Sequence, residues 1–344
     1  MHRFSWWKLC IPKSQGGLGF RDFHSFNLAM LSKQVWRLIE YPDSICAKIL
    51  KAKHFPNQHI LDAGLKRRYS FTWQSIVAGI QTFKRGYIWR VGNGASIKIW
   101  TDPWVPTSPS RKVVTERGGT LIDKVSDLID PLTGQWDEVL IDIFFVVDAV
   151  RILGIPLSPY SFDDFVAWHF NHPGTFSVRS AYHVEWRHEF SNNANQITSS
   201  SDGTNCIWSK IWKLSVPGKI KIFCWRALHA TIQVKAVLVN RHVGTDAICP
   251  ISHVGLEDIS HLLFECTPAR QLWKSLKLED GILGAFSVET SSSQMLEELL
   301  DNSDDQYQSL QGVRTSEVIA TTCWYLWWIR QRATHNDSVL PPTH

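Results

Sequence analysis

The chain has 344 residues, and its 44% apolar side chains are enough to bury one large core or two modest ones, which excludes a disordered chain. No run of 18 apolar residues occurs, and the opening MHRFSWWKLC lacks the pattern of a signal peptide, so the expectation is a soluble intracellular protein, nuclear or cytoplasmic. The net charge of +4 hides a division: residues 1–100 hold sixteen Lys or Arg against four acids, a net of +12, which leaves −8 for the remainder.

Basic residues in that first third alternate with Trp6, Trp7, Trp36, Trp73, Trp89 and Trp100. Cations beside flat rings suit a polyanion whose phosphates need charge and whose bases stack, although Trp also fills cores and a basic face can simply be solvated. The stretch 25–42 spaces Phe26, Leu28, Leu31, Val35, Leu38 and Ile39 as an amphipathic helix, with Ser25 or Asn27 as cap and Pro42 as stop. Residues 45–55 continue in that style. In 87–106 the period changes, and Asn93-Gly94 between two apolar runs predicts a hairpin.

A second hairpin is expected around Pro173-Gly174, followed by a helix from Val178 or Ser180. The polar stretch 190–205 reads as a linker. Two or three short helices broken at Pro217-Gly218 lead to CPISHVGLEDISHLLFEC, residues 249–266. Residues 279–312 are acidic and serine-rich and read as poorly ordered, and an aromatic helix closes the chain. The seven cysteines are scattered, unlike a disulfide scaffold, and so are core thiols or metal ligands.

Residues 249–266 have the look of a zinc loop that lacks one ligand, since a serine, Ser252, stands where a second cysteine would complete Cys-x-x-Cys. Three outcomes stay open. His253 could turn in to give Cys249, His253, His261 and Cys266 as ligands; the site could survive with three ligands or a water; or the loop could be metal-free, with Cys266 a buried thiol and His261 a core histidine.

Taken in order, WWKLCIPKSQGGLGFRDFHSFNLAMLSKQVWRL, WQSIVAGIQTFKRGYIWRVGNGASIKIWTDPWVP, GTFSVRSAYHV, IWSKIWKLSVPGKIKIFCWRALHATIQ, the loop with ARQLW behind it, and WYLWWIRQRATHN resemble the C-terminal part of plant LINE-type (non-LTR) retrotransposon polyproteins, downstream of the reverse-transcriptase core. The resemblance covers most of the chain. It implies that 163–273 form the reverse-transcriptase zinc-binding module, that Cys249, His261 and Cys266 are ligands, and that Glu257 is the acid preceding the histidine. It also implies a role in holding template RNA or target DNA beside the polymerase.

Enzyme signatures are not found. Phe162-Asp163-Asp164 superficially fits the paired aspartates of a polymerase but has no companion aspartate on a preceding strand, and Asp304-Asp305 lies in an acidic segment. There is no P-loop, nucleophile elbow or ribonuclease H acid set, and Gly16-Gly17-Leu18-Gly19 reads as a turn before a phosphate loop.

The expected fold is α+β, mainly helical, with two small β-hairpins. Its regions are a basic Trp-rich part over 1–110, a helical connector over 111–162, a zinc-binding-like domain over 163–275 with a linker at 190–205, and an acidic linker with the aromatic helix over 276–344. The expected function is a non-catalytic, truncated retrotransposon-derived protein with a degenerate zinc site that binds RNA or DNA without sequence preference. Its phosphate contacts would be Lys8, Lys13, Arg21, Lys51, Lys53, Arg67, Arg68, Lys84, Arg85 and Arg90, with Trp73 and Trp89 as stacking candidates that core packing also claims. No membrane or small-molecule substrate is expected. The alternative is a protein–protein scaffold in which the zinc-like loop and the WYLWWIR helix serve as docking surfaces.

Overall fold

The computed structural model describes residues 4–64, 70–158, 162–197, 206–280, 282, 292–306 and 312–334. Arg67 and Arg68 lie outside the described residues. The chain packs as two compact units, one formed by 21–201 and the other by 1–20 with 202–344. These units cut the chain along other lines than the four sequence regions do.

In the 21–201 unit, helix α2 (Phe23–Glu40) begins two residues earlier than its apolar spacing predicts. Its cap is Asp22, whose carboxylate accepts from the Ser25 backbone N–H at 2.7 Å, and Ser25 itself is buried inside the first turn. Helix α3 (Ile45–His54) follows as read, capped by Ser44. Helix α4 (Phe71–Lys84) packs against α2 at Gly79, where an added Cβ would lie 2.7 Å from the Leu31 backbone carbon. Ser32 Oγ fixes this approach by donating to the Gly79 carbonyl at 2.9 Å.

Gly79→Ala is therefore expected to cost about 1–3 kcal/mol from overpacking, outweighing the roughly 1 kcal/mol that alanine gains in a helix. A fall in the urea midpoint with an unchanged slope is the check; a rise would show that the two helices have room to part.

The strands correct the hairpin expectation. Strand β1 (Tyr87–Arg90) pairs antiparallel with β2 (Phe165–Trp168), Ile88 opposite Ala167, and not with residues 97–100. Ile97 and Ile99 instead bond to 123–125 and fill a core with Trp104, Leu128 and Phe145. Nor does the Pro173-Gly174 turn carry a second strand back; the Gly174 carbonyl accepts from the Trp168 N–H at 2.6 Å, and helix α7 (Val178–Ile197) starts shortly after. That helix runs well into the stretch read as a linker, whose remainder, 198–205, lies outside the described residues. Two further short helices, α5 (Glu138–Phe144) and α6 (Ala149–Leu153), cover the second core. The class is mainly helical α+β, with a single two-stranded sheet among the described residues.

The other unit opens with α1 (Trp6–Cys10) and gathers α8 (Cys206–Lys213), α9 (Gly218–Leu228), α10 (Lys235–Asn240), α11 (Thr267–Ser275), α12 (Ser292–Gln306) and α13 (Thr315–Thr334). Pro217 precedes α9, as a residue that fits only a helix start. Helix α12 corrects the reading of 279–312 as poorly ordered for residues 292–306, where Met295, Leu296, Leu299 and Leu300 recur at helical spacing and are buried against α9 and α13; residues 281, 283–291 and 307–311 lie outside the described residues. No described helix is long and apolar enough to cross a membrane.

Candidate functional site

Residues 247–257 form a tight knuckle. Glu257 N–H donates to the Ala247 carbonyl and Cys249 N–H to the Gly255 carbonyl, so the chain reverses between Cys249 and Gly255. Within the turn His253 N–H reaches back to the Cys249 carbonyl at 3.0 Å, with His253 at φ 55° and Gly255 at φ 78°. On the other wall a single π-helical turn, His261–Glu265, begins with His261 N–H on Asp258 Oδ1 and ends with Cys266 N–H on the His261 carbonyl. Cys266 then opens α11, where Pro268 fits the first turn.

This frame brings Cys249, His261 and Cys266 together, with their ligand atoms all within 4.8 Å of one another. The two sulfurs are 3.8 Å apart, and Ser252 Oγ lies 3.3 Å from His261 Nε2. Two thiolates about 2.3 Å from one tetrahedral zinc would be about 3.8 Å apart, and a nitrogen and an oxygen at about 2.0–2.1 Å would be about 3.3 Å apart. The residues present therefore fit zinc. The serine hydroxyl, which also donates to the Val254 carbonyl at 3.0 Å, stands beside the three donors. Burial, with the neighbouring Cys249 thiol, pushes the Cys266 thiol up to about 11.

His253 is not in this group. It is exposed, carried past the donors by the turn that leaves Ser252 facing His261. A fourth ligand displaced one residue along the chain is thus not the arrangement that the backbone builds. Glu265 Oε2 stands 4.0 Å from His261 Nδ1, the nitrogen turned away from Ser252.

Glu257 does something the sequence did not disclose. Its buried carboxylate is gripped by Arg330 of α13, Nε to Oε1 and Nη2 to Oε2 both at 2.8 Å, and it also accepts the Lys235 N–H at 2.7 Å. The loop is therefore bolted to α13 and to the start of α10. The available signal was an arginine set among the aromatic residues of WYLWWIRQR.

The other candidates divide. Gly16-Gly17 is a structural turn: Gly16 has φ 87°, its carbonyl accepts from Trp225 Nε1 at 2.7 Å, and a Cβ on Gly17 would sit 1.9 Å from the Ile11 oxygen. Asp164 is a loop clamp, accepting the N–H groups of Gly92, Gly94 and Ser96 at 2.8–2.9 Å, while Asp163 accepts from Asn93 Nδ2. Lys8 and Lys13 belong to one unit, and Arg21, Lys51, Lys53, Lys84, Arg85 and Arg90 to the other. Arg85 is consumed by the buried Glu185 at 2.6 Å. Trp73 is fully buried and stacked on His54, whereas Trp89 is half-buried on the wall of a cleft.

Residues 176–273 match the family described as zinc-binding in reverse transcriptase. An Arabidopsis thaliana protein named "Putative ribonuclease H protein At1g65750" is 29% identical over 335 residues, 95% of this chain and 51% of that protein. "Uncharacterized mitochondrial protein AtMg00310" of the same plant is 37% identical over 102 residues, 29% of this chain and 66% of that protein. The chain thus spans about half of the first relative's length and just under two thirds of the second's. No solved structure matches. The Cys-His-Cys knuckle lies inside the segment that is similar to the zinc-binding domain of reverse transcriptases, and the two Arabidopsis relatives are consistent with a plant retrotransposon-derived protein.

Proposed function

We propose that the protein is a non-catalytic nucleic-acid-binding protein in which zinc holds the knuckle shut and exposed cations contact phosphates. Cys249, His261 and Cys266 would hold the metal, with the Ser252 hydroxyl or a water completing the set. Bound there, zinc supplies a crosslink between the knuckle and the start of α11. The non-catalytic part is supported by the use of Asp164 to clamp a loop. The relative named for ribonuclease H is twice as long as the part matched here.

One observation carries the binding reading. Of the eight candidate cations among the described residues, Arg85 alone is spent on an internal ion pair; Lys8, Lys13, Arg21, Lys51, Lys53, Lys84 and Arg90 have no carboxylate partner there. Seven uncompensated cations favour a polyanion. If about four of them meet phosphates, affinity for a single-stranded RNA 20-mer falls about 50-fold between 50 and 200 mM salt. Fluorescence anisotropy at the two salt concentrations is the test, and no binding even at 50 mM would overturn the reading.

A further inference from the structure

In the 21–201 unit, a cleft of about 600 Å³ opens between the turn Ile60–Asp62, β1 and the loop 96–112. Four cations line it: Lys84, Lys98, Arg111 and Lys112. None of them forms an ion pair among the described residues. Arg111 is held at φ 59°, a conformation that L side chains seldom adopt, and its Nε is shielded from solvent without a hydrogen-bond partner. The φ belongs to the turn that the Arg111 N–H closes on the Ser108 carbonyl, and the guanidinium carbon lies 5.9 Å from the Phe170 ring centroid; the Nε, with no acceptor among the described residues, is a donor suited to an anion in the cleft.

The remaining walls carry three rings and two acids. His59 and Trp89 lie with ring centroids 6.0 Å apart, and Tyr87 is beside them. Burial lowers the His59 pKa and keeps its ring neutral near pH 7. Asp62 and Asp102 face the same space; burial, then the charges of Asp102 and Asp62, raise the Tyr87 phenol pKa, while Arg111 acts the other way. Four cations against two carboxylates leave the cleft a net +2, suited to an anion that also offers a flat ring and groups able to donate to carboxylates.

We propose that this cleft seats one nucleotide unit, with its phosphate on Lys98, Arg111 and Lys112, its base against Trp89 and His59, and its sugar hydroxyls on Asp62 and Asp102. The inference rests on the nucleic-acid reading above and gives it a place: Lys84 and Trp89 are the two residues of the sequence-derived set that the cleft contains.

The test titrates the full chain into 2-aminopurine riboside 5′-monophosphate, whose fluorescence is quenched by stacking, with AMP, adenosine and inorganic phosphate as competitors. Saturable quenching is expected, weakened at least tenfold by Arg111→Gln and displaced by AMP far better than by adenosine or phosphate. Lys112 is exposed, so Lys112→Gln, also expected to weaken binding, serves if the arginine variant fails to fold.

Absence of quenching, equal competition by phosphate and AMP, or full affinity in a folded Arg111→Gln chain would each overturn the proposal. If the RNA 20-mer binds in a salt-dependent way while the monophosphate does not, the cleft fails and the wider reading stands. If the monophosphate binds and the 20-mer does not, the wider reading fails and the cleft is a site for free nucleotides.

Discussion

Glu257→Ala is expected to destabilise the unit formed by 1–20 with 202–344 by about 3–5 kcal/mol, because it strands the Arg330 guanidinium, 4% exposed, without its carboxylate. That is a large fraction of the roughly 5–15 kcal/mol that holds a typical domain together. Arg330→Ala should cost a similar amount, since it leaves a buried carboxylate with only the Lys235 N–H. Replacing both partners, Glu257→Leu with Arg330→Met, should cost less than either truncation, because no uncompensated charge remains; the orphaned Lys235 N–H still costs about 1–3 kcal/mol. Urea denaturation of the four chains measures the series. A loss below about 0.5 kcal/mol for both truncations would mean that water reaches the pair and that the bolt between knuckle and helix is not structural.

Zinc should be the second large effect. A ligand that binds only the folded chain stabilises it by about 4 kcal/mol when present at about 1,000 times its dissociation constant. The melting temperature of the unit should therefore rise with zinc and fall with a chelator. Ser252→Cys should enlarge that difference, because it exchanges a hydroxyl for a thiolate 3.3 Å from the His261 nitrogen. Identical melting of the natural chain with zinc and with chelator would mean that the knuckle stands without metal, held by the Glu257 bolt alone.

These two features also show how far the sequence was legible. Spacing located Cys249, His261 and Cys266, because ligands on a short turn and at the start of a helix leave a local signature. It placed His253 beside them as the fourth ligand, with a three-ligand or water-completed site and a metal-free loop as the other outcomes. The left-handed backbone at His253 and the bond from its N–H to the Cys249 carbonyl, which are properties of the folded turn, leave His253 exposed and outside the Cys249, His261 and Cys266 group. The partner of Glu257 was hidden for a different reason: Arg330 lies far along the chain, and pairing across such a distance is set by packing.

The same contrast runs through the fold. Helices α2, α3 and α13 were legible from apolar periodicity, a local property. The hairpin at Asn93-Gly94 was not, because the turn residues are present but β1 takes its partner from β2 and the loop is claimed by the Asp164 carboxylate. Helix α12 was masked by composition, its four buried apolar residues sitting among serines and acids. The cleft was out of reach for a third reason, since Asp62, Asp102 and Arg111 converge only after folding.

The proposed zinc knuckle uses Cys249, His261 and Cys266 and tolerates a serine at its fourth position. Elemental analysis of the purified full chain, with His253→Ala and Cys266→Ala beside it, tests this most directly. The predicted result is close to one zinc per chain, unchanged in His253→Ala and lost in Cys266→Ala. A natural chain free of zinc, or one that loses its zinc in His253→Ala, would contradict it.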